Sequence, residues 1–169
     1  MKALHVLRHA KSSWDDPSLD DFDRPLAPRG RRAAKKLGAY VRAAGIEPAL
    51  VLCSPARRTV QTLQHLGPLE GEVRLEASLY GGSADELLAV VRTAPAHVPS
   101  ILLIGHNPGL QDLAVRFAAA GDARQIGRMR EKMPTGAMAS FEVDAEAWDA
   151  VAPRAGRLVG YVVPKELSG

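Results

Sequence analysis

The sequence predicts an α/β fold of three layers, in which helices cover both faces of a mostly parallel central sheet. Short apolar runs typical of buried strands alternate with longer segments whose apolar residues recur at helical spacing. The connections are short, and neither an internal repeat nor a low-complexity linker divides the chain. Because 169 residues suit one domain, we expect a single domain over 1–169.

The predicted strands are the compact apolar runs of the chain. Continuous apolar side chains suit a sheet that is buried on both faces. The weakest of the runs is 73–76. The six predicted strands are 3–7, 50–53, 73–76, 100–104, 137–143 and 158–163.

The longest predicted helix covers 28–44, where the apolar residues fall on one face. Pro28 lies in its first turn and Gly45 beyond its end, which are the positions that these residue types favour. A further helix is predicted after Ser83, because Ser83 and Glu86 together form a capping-box pattern.

Two more helices are predicted to begin directly after strands. Ser54-Pro55 and Asn107-Pro108 are each typical of an N-cap followed by the first helical residue. The Arg- and Gly-rich stretch 121–132 is predicted to be a mobile loop, and 145–148 a short helical turn.

Composition excludes several classes of protein. The single cysteine excludes an intrachain disulfide framework and any multi-cysteine metal site. The N-terminal apolar run is too short for a signal peptide, and no stretch has the ~18 apolar residues of a membrane span. We therefore expect a cytoplasmic protein with no membrane partner. The net charge is +3, and arginine outnumbers lysine, which favours bidentate binding of phosphate or carboxylate.

Five aspartates crowd one short segment, and we predict that this segment is a solvated loop. They are Asp15, Asp16, Asp20, Asp21 and Asp23.

The ends of three predicted strands carry the candidate site. Ligands of open α/β sheets bind outside the carboxyl ends of the strands. Arg8 and His9 follow the first strand, Arg58 lies beyond the second, and His106 follows the strand at 100–104. We expect these side chains to meet at one edge of the sheet.

These residue types suit phosphoryl transfer. A neutral imidazole is a good nucleophile when its second nitrogen is fixed by a hydrogen bond. Arginines and a second, protonated imidazole can stabilise the charge on the phosphoryl oxygens without a metal. We assign His9 as nucleophile, Arg8 and Arg58 as phosphate clamps, and His106 as charge stabiliser.

The same motifs resemble those of a known family. Segment 7–10 (LRHA) is similar to the Arg-His-Gly signature of the histidine phosphatase superfamily, with Ala10 where glycine is usual. Segment 54–62 (SPARRTVQT) resembles its second motif, and 105–108 (GHNP) resembles the motif of its second catalytic histidine. Smaller likenesses to the SixA-type phosphohistidine phosphatases lie at 24–30, 79–81, 133–136 and 163–165.

The resemblance implies a phosphoglycerate mutase-like fold and a reaction in which His9 becomes phosphohistidine before water releases phosphate. It implies no metal and no cofactor. It also places Arg24 near the phosphate, and we predict that Arg24, Ser12 and Asn107 bind substrate.

Other roles for these residues are less well supported. Two histidines lack the third protein ligand of a catalytic zinc, and the neighbouring arginines would repel a cation. A Cys-x5-Arg phosphatase loop would need arginine at position 59, which is Thr59, so Cys53 is predicted to be a buried thiol. We expect a structural role for the mid-strand His5, and a solvated position for Arg57.

The general acid is left open by the sequence. Asp85 and Glu86 could reach the site, although the pattern around Ser83 favours helix capping. Without an acid, the enzyme would favour a substrate whose leaving group departs readily, and imidazole leaves a phosphohistidine without a strong acid. This favours phosphohistidine as the substrate.

We therefore expect a metal-independent phosphatase acting on a phosphorylated protein, most of all on protein phosphohistidine. The alternatives are a small-molecule phosphomonoesterase, a mutase, and a catalytically silent phosphate-binding module. Few aromatic residues are available for base stacking, so we expect no nucleic-acid partner. The protein is expected to be a monomer.

Overall fold

In the computed structural model, which describes residues 1–167, seven strands form one sheet in the order β3-β2-β4-β1-β6-β7-β5. Strands β1 to β4 pair in parallel, as β5 does with β7, whereas β6 is antiparallel to both β1 and β7. The expected mostly parallel sheet is confirmed. The strands are β1 (Lys2–Arg8), β2 (Leu50–Cys53), β3 (Glu72–Leu75), β4 (Ser100–Gly105), β5 (Ala118–Gly121), β6 (Met138–Val143) and β7 (Gly156–Val162).

Five helices cover the two faces of the sheet, which confirms the three-layer arrangement. Leu4 and Val6 of β1 point into the core beneath α3, α4 and α5, whereas Leu7 packs with Leu37 on the side of α1 and α2. This alternation is what a strand buried on both faces requires. The helices are α1 (Pro28–Ala43), α2 (Arg57–Leu66), α3 (Ala84–Val91), α4 (Gly109–Phe117) and α5 (Ala123–Glu131).

The local signals for α1 and α3 are confirmed. Pro28 is the first residue of α1, and Gly45 lies beyond its end at a φ of 70°. Glu86 N donates to the Ser83 side chain, and Ser83 N donates to the Glu86 side chain, so both bonds of the capping box form. The caps satisfy backbone groups that a helix end leaves without partners.

The predicted starts of two helices were wrong, by two residues for α2 and by one residue for α4. The Ser54 hydroxyl accepts a hydrogen bond from Ala56 N, so the chain turns once more before α2 begins at Arg57. Asn107 Oδ1 accepts from Gln111 N, yet regular helix starts only at Gly109. Both polar residues therefore remain outside the helices, where their side chains can contact neighbouring loops.

The expectation of a mobile loop at 121–132 was wrong, because this stretch is helix α5. Asp122 caps it by accepting from Gln125 N, and Met129 on the inner face of the helix is fully buried. The short strand β5 just before it was not predicted, and the predicted turn at 145–148 lies instead at Trp148–Ala150. Within residues 1–167, no helix is both long and apolar enough to cross a membrane.

Candidate active site

The carboxyl ends of β1, β2 and β4 lie side by side near the centre of the sheet. Arg8 at the end of β1 pairs with Gly105 at the end of β4, so the histidine that follows each strand emerges at the same edge. The ring centroids of His9 and His106 are 5.3 Å apart. The sheet therefore brings the two predicted histidines together.

The backbone and ring of His9 are fixed by hydrogen bonds. His9 N donates to the Gly105 carbonyl, and Gly136 N donates to the His9 carbonyl, at 3.1 and 2.9 Å. Nδ1 of the ring lies 2.7 Å from the Ala10 carbonyl oxygen. Because a carbonyl only accepts, the proton sits on Nδ1, and Nε2 carries the lone pair.

The electrostatic surroundings of His9 keep the ring neutral. Burial above all, together with the nearby His106, Arg58 and Arg8, lowers the pKa of His9 to about 3, against the opposing effect of the bond to Ala10. At neutral pH the ring is therefore uncharged. Together with the lone pair on Nε2, this is the state that a nucleophile needs.

His106 is also buried, and Ser54 orients its ring. Its Nε2 lies 2.8 Å from Ser54 Oγ, and the Tyr80 ring meets it edge-on at 5.4 Å. The hydrogen bonds found for residues 1–167 give the Ser54 hydroxyl proton no acceptor other than Nε2; we infer that it is donated there, which leaves the ring proton of His106 on Nδ1.

The expectation of a protonated His106 does not hold for the protein alone. Burial above all, together with the charges of Arg58 and Arg8, lowers the pKa of His106 to about 4, against the opposing charge of Asp21. A neutral His106 offers one N–H rather than a full charge. A phosphate dianion beside the ring would raise this pKa, since an opposite charge favours the protonated form.

Two arginines flank the histidines, and each is anchored to the protein. Arg8 Nη1 donates to the Met133 carbonyl at 3.2 Å. Arg58 donates from Nη1 to the Asp21 carbonyl at 2.7 Å and from Nη2 to the Asp21 carboxylate at 3.0 Å. Both guanidinium groups are held in place before any substrate arrives.

Three buried nitrogen atoms at this edge have no hydrogen-bond partner among residues 1–167. They are Arg8 Nε, Arg58 Nε and His106 Nδ1. The two arginine atoms are donors, and so is His106 Nδ1 in the tautomer inferred above. Buried donors without acceptors are costly. An anion with several acceptor oxygens, such as a phosphoryl group, would satisfy all three.

Asp21 is the site residue that the sequence did not single out. Its carboxylate accepts from Arg58 and Arg24, and from the Tyr80 hydroxyl at 2.7 Å. These contacts, with that of Tyr80 foremost, lower the pKa of Asp21 to about 2. All five aspartates are exposed, as expected of a solvated segment, but the contacts of Asp21 with the site arginines were not predicted. The one sequence signal was its position three residues before Arg24.

Arg24 and Ser12 do lie together, as a bonded pair. Arg24 Nη1 donates to Ser12 Oγ at 2.9 Å and to the Ser13 carbonyl at 3.2 Å. The Trp14 ring, largely exposed, stacks on the Arg24 guanidinium at 3.4 Å. Most hydrogen-bond donors of Arg24 are thus used within the protein. That Arg24 and Ser12 bind substrate stays a prediction.

Asn107 has protein partners on both polar atoms of its side chain. Nδ2 donates to the Met133 carbonyl, and Oδ1 accepts from Gln111 N. Since Met133 also anchors Arg8, Asn107 helps to fix the loop that holds this arginine. Its predicted contact with substrate is likewise untested by the geometry.

The two candidate acids occupy different positions. Asp85 forms an exposed ion pair with Arg116 at 3.4 Å. Glu86 lines a cavity of about 290 Å³ that also includes His106 and Asn107, while its carboxylate completes the helix cap. Of the two, only Glu86 borders the candidate active site.

The expected structural roles of three other residues agree with their surroundings. His5 Nδ1 lies 2.8 Å from Ser140 Oγ in the sheet, and Arg57 is exposed. Cys53 is fully buried, and burial raises its pKa to about 12, so it remains a thiol. In residues 1–167 no group of three or more His, Cys, Asp or Glu side chains lies where it could hold a metal ion.

Comparison with known proteins identifies the family. The sequence profile of the histidine phosphatase superfamily (branch 1) matches residues 4–80. The fold superimposes on the "putative phosphohistidine phosphatase SixA" of Nakamurella multipartitia with a TM-score of 0.85 and 30% identity, covering 96% of both chains. The chain belongs to the histidine phosphatase superfamily. Within it, the chain is of the SixA type.

Two further relatives extend this result. The protein histidine phosphatase SixA complexed with tungstate shares the fold, with a TM-score of 0.78 at 22% identity, over 97% of this chain and 98% of that one. An uncharacterized protein of Mycobacterium tuberculosis is 38% identical over 161 residues, which cover 94% of this chain and all of that protein. The phosphoglycerate mutase-like fold inferred from the motifs is thereby confirmed.

Proposed function

We propose that this SixA-type protein is a metal-independent phosphatase that hydrolyses protein phosphohistidine through a phosphorylated His9. Membership in the histidine phosphatase superfamily supports a phosphatase. The observation that carries the proposal is the tautomer of His9. Its Nδ1–H is donated to Ala10, which leaves the Nε2 lone pair beside the partnerless donors of Arg8, Arg58 and His106.

In the first step, Nε2 of His9 attacks phosphorus as the bond from phosphorus to the substrate imidazole nitrogen breaks. The departing nitrogen keeps the bonding electron pair and takes its proton from solvent. Arg8 and Arg58 stabilise the phosphoryl oxygens throughout, because fixed cations in a buried site act with little reorganisation. In the second step, water attacks phosphorus, the bond to Nε2 breaks, and phosphate leaves.

The protonation state of the carboxylates near the site determines which leaving groups the enzyme can release. Asp21 contacts both Arg58 and Arg24, but its low pKa keeps it ionised, so it has no proton to donate near neutral pH. A phosphoramidate needs less help than an alkyl ester, because imidazole is a good leaving group. With Asp21 ionised and the Glu86 carboxylate bonded in the helix cap, the site favours phosphohistidine over ordinary phosphate esters.

The test is a brief incubation with a phosphohistidine-bearing peptide in excess EDTA, followed by mass spectrometry at alkaline pH. We expect an acid-labile phosphate on His9 and continued turnover in EDTA. His9→Ala should lose activity by about 10⁴-fold, since it removes the nucleophile. The exposed His97→Ala is the matched control and should retain full activity.

Three results would contradict the proposal in different ways. Full activity in His9→Ala would exclude the phospho-His9 intermediate. Faster turnover of a sugar phosphate than of phosphohistidine would favour a small-molecule phosphomonoesterase. Phosphate binding without turnover of any substrate would favour a silent binding module.

A further inference from the structure

A cavity of about 480 Å³ beside the active site is lined mainly by basic side chains. One wall is formed by α1, and the opposite wall by the segments 132–135 and 163–165. None of the lining residues is acidic. We call this cavity the basic groove; its cations are Lys11, Arg29, Arg32, Lys36, Lys132 and Lys165.

The basic groove adjoins the catalytic residues along the chain and through hydrogen bonds. Lys11 follows His9 by two residues, and its carbonyl accepts from Ala27 N at the start of α1. On the other wall, Met133 anchors Arg8, while Gly136 N lies 2.9 Å from the His9 carbonyl oxygen. The segments that line the groove are therefore bonded to those that hold His9 and Arg8.

The positive charges of the groove are not balanced by any acidic side chain in its lining, which is unusual for a surface that only faces solvent. Helix α1 contains six basic residues and no acid in the sequence PRGRRAAKKLGAYVRA. Arg29 and Arg32 are three residues apart, and Arg32 and Lys36 four apart, which are spacings at which like charges repel along a helix. No carboxylate of residues 1–167 forms an ion pair with any groove cation.

The character of these cations indicates what they bind. The active-site arginines are fixed by protein acceptors, as a site for a single phosphate requires. Arg29, Arg32 and Lys36 have no hydrogen bond from their side chains to any described residue, and only Lys36 is even half-buried. Flexible, exposed cations spread over seven positions of helix, roughly 10 Å, suit several separate carboxylates better than one compact ion.

We propose that the basic groove binds acidic side chains flanking the phosphorylated histidine of a substrate protein. This inference rests on the proposed function, because the phosphohistidine enters the active site while its neighbours lie along α1. The groove thereby selects among phosphoproteins by charge, and it speeds their association.

The test uses a charge-reversed groove and a matched control. Arg32→Glu with Lys36→Glu reverses two groove cations on α1. Lys35→Glu with Arg154→Glu makes the same change in net charge at exposed residues outside the groove, one of them on the same helix. Para-nitrophenyl phosphate carries no acidic side chains for the groove to bind, so its hydrolysis should be equal in both variants and the parent protein.

Two phosphohistidine peptides are then compared, one with glutamates and aspartates around the histidine and one with glutamines and asparagines. Because each exposed ion pair contributes a few-fold at low salt, we expect kcat/KM to be about 10-fold higher for the acidic peptide. This advantage should disappear in Arg32→Glu/Lys36→Glu, persist in Lys35→Glu/Arg154→Glu, and shrink in ~0.5 M NaCl, where screening is strong.

A binding measurement separates this proposal from the proposed function. Fluorescence anisotropy of a labelled, unphosphorylated acidic peptide should show binding that the groove variant loses. If neither phosphopeptide is hydrolysed but this binding is found, the proposed function falls, and only the binding of acidic side chains in the groove stands. Equal kcat/KM for the two phosphopeptides would overturn the groove proposal alone. Binding of tripolyphosphate or of single-stranded DNA, but not of the acidic peptide, would also overturn it.

Discussion

The active site and the basic groove are adjacent cationic regions that are built in opposite ways. In the active site, Arg58 is only 6% exposed and is held by two bonds to Asp21. In the groove, Arg32 is exposed and has no such anchor. Buried, fixed cations stabilise charge strongly, whereas exposed and mobile ones act weakly and are screened by salt. We therefore propose that the active site carries the chemistry and that the basic groove selects the substrate.

The largest effect is expected when one cation is removed from each region in turn. Arg58→Ala should lower kcat/KM for para-nitrophenyl phosphate by about 10³-fold, because it deletes a buried donor to the phosphoryl oxygens. Arg57→Ala removes the exposed neighbouring arginine and should cost less than about 3-fold, as should Arg32→Ala in the groove. Steady-state kinetics measures all three. If Arg32→Ala lowers kcat/KM as much as Arg58→Ala does, the groove takes part in the chemistry and the two regions do not differ in role.

Burial in and near the active site should also make stability depend on pH. The pKa of His5 is lowered by burial to about 4, so at pH 5 the unfolded chain binds a proton that the folded chain does not. Stability is therefore full above about pH 6.5 and falls as the pH drops towards 4, by about 3 kcal/mol for His5 alone. His9 and His106 act in the same direction.

The measurement is the free energy of unfolding in urea between pH 7 and pH 4.5. His5→Gln keeps a polar partner for Ser140 and should reduce the pH dependence by roughly a third, since it removes one of three buried histidines. The exposed His97→Gln should leave it unchanged. An unaltered pH dependence in His5→Gln would show that this ring is accessible to protons in the folded protein.

Much of the active site could be predicted because its residues follow parallel strands. His9 and His106 each come directly after a buried apolar run, and parallel strands end at a common edge whatever their order. The order itself was not predictable, because the apolar character of a run does not show which strand lies beside it. The sequence therefore indicated which residues meet, but not that β1 lies in the middle of the sheet.

The residues that were missed depend on contacts distant in sequence. Asp21 is one of five similar aspartates, and only the path of its loop past Arg58 and Tyr80 distinguishes it from the others. Helix α5 was missed because its surface is rich in arginine and glycine. Its helical character depends on the Asp122 cap and on the burial of Met129, and neither stands out in the local composition.

A smaller effect is expected from Asp21, which connects the arginines without touching the nucleophile. Asp21→Asn should lower kcat about 10-fold, because Arg58 and Arg24 lose a charged acceptor that fixes both. KM should stay the same or fall, since the pocket becomes more positive. Asp20→Asn, an exposed neighbour without a side-chain bond to the helical turn that follows it, is the control. A higher kcat in Asp21→Asn would mean that the carboxylate competes with substrate for Arg58.

The smallest effect is expected from Glu86, which borders the active site but caps a helix. Glu86→Gln keeps the capping box, because a glutamine side-chain oxygen also accepts from Ser83 N, so any kinetic change reports proton donation rather than folding. With a phosphohistidine peptide we expect a change in kcat below about 2-fold, since imidazole needs no strong acid to leave.

Comparing alkyl with aryl phosphates as substrates of Glu86→Gln shows whether Glu86 donates a proton. A general acid matters most for the poor alkoxide leaving group, so loss of a true acid would reduce alkyl phosphate turnover far more than aryl phosphate turnover. Asp85→Asn, at the exposed ion pair with Arg116, serves as the matched control. If Glu86→Gln lowers alkyl phosphate turnover by about 10²-fold or more, Glu86 is the missing acid. The preference for phosphohistidine would then have to come from the basic groove rather than from the chemistry of the leaving group.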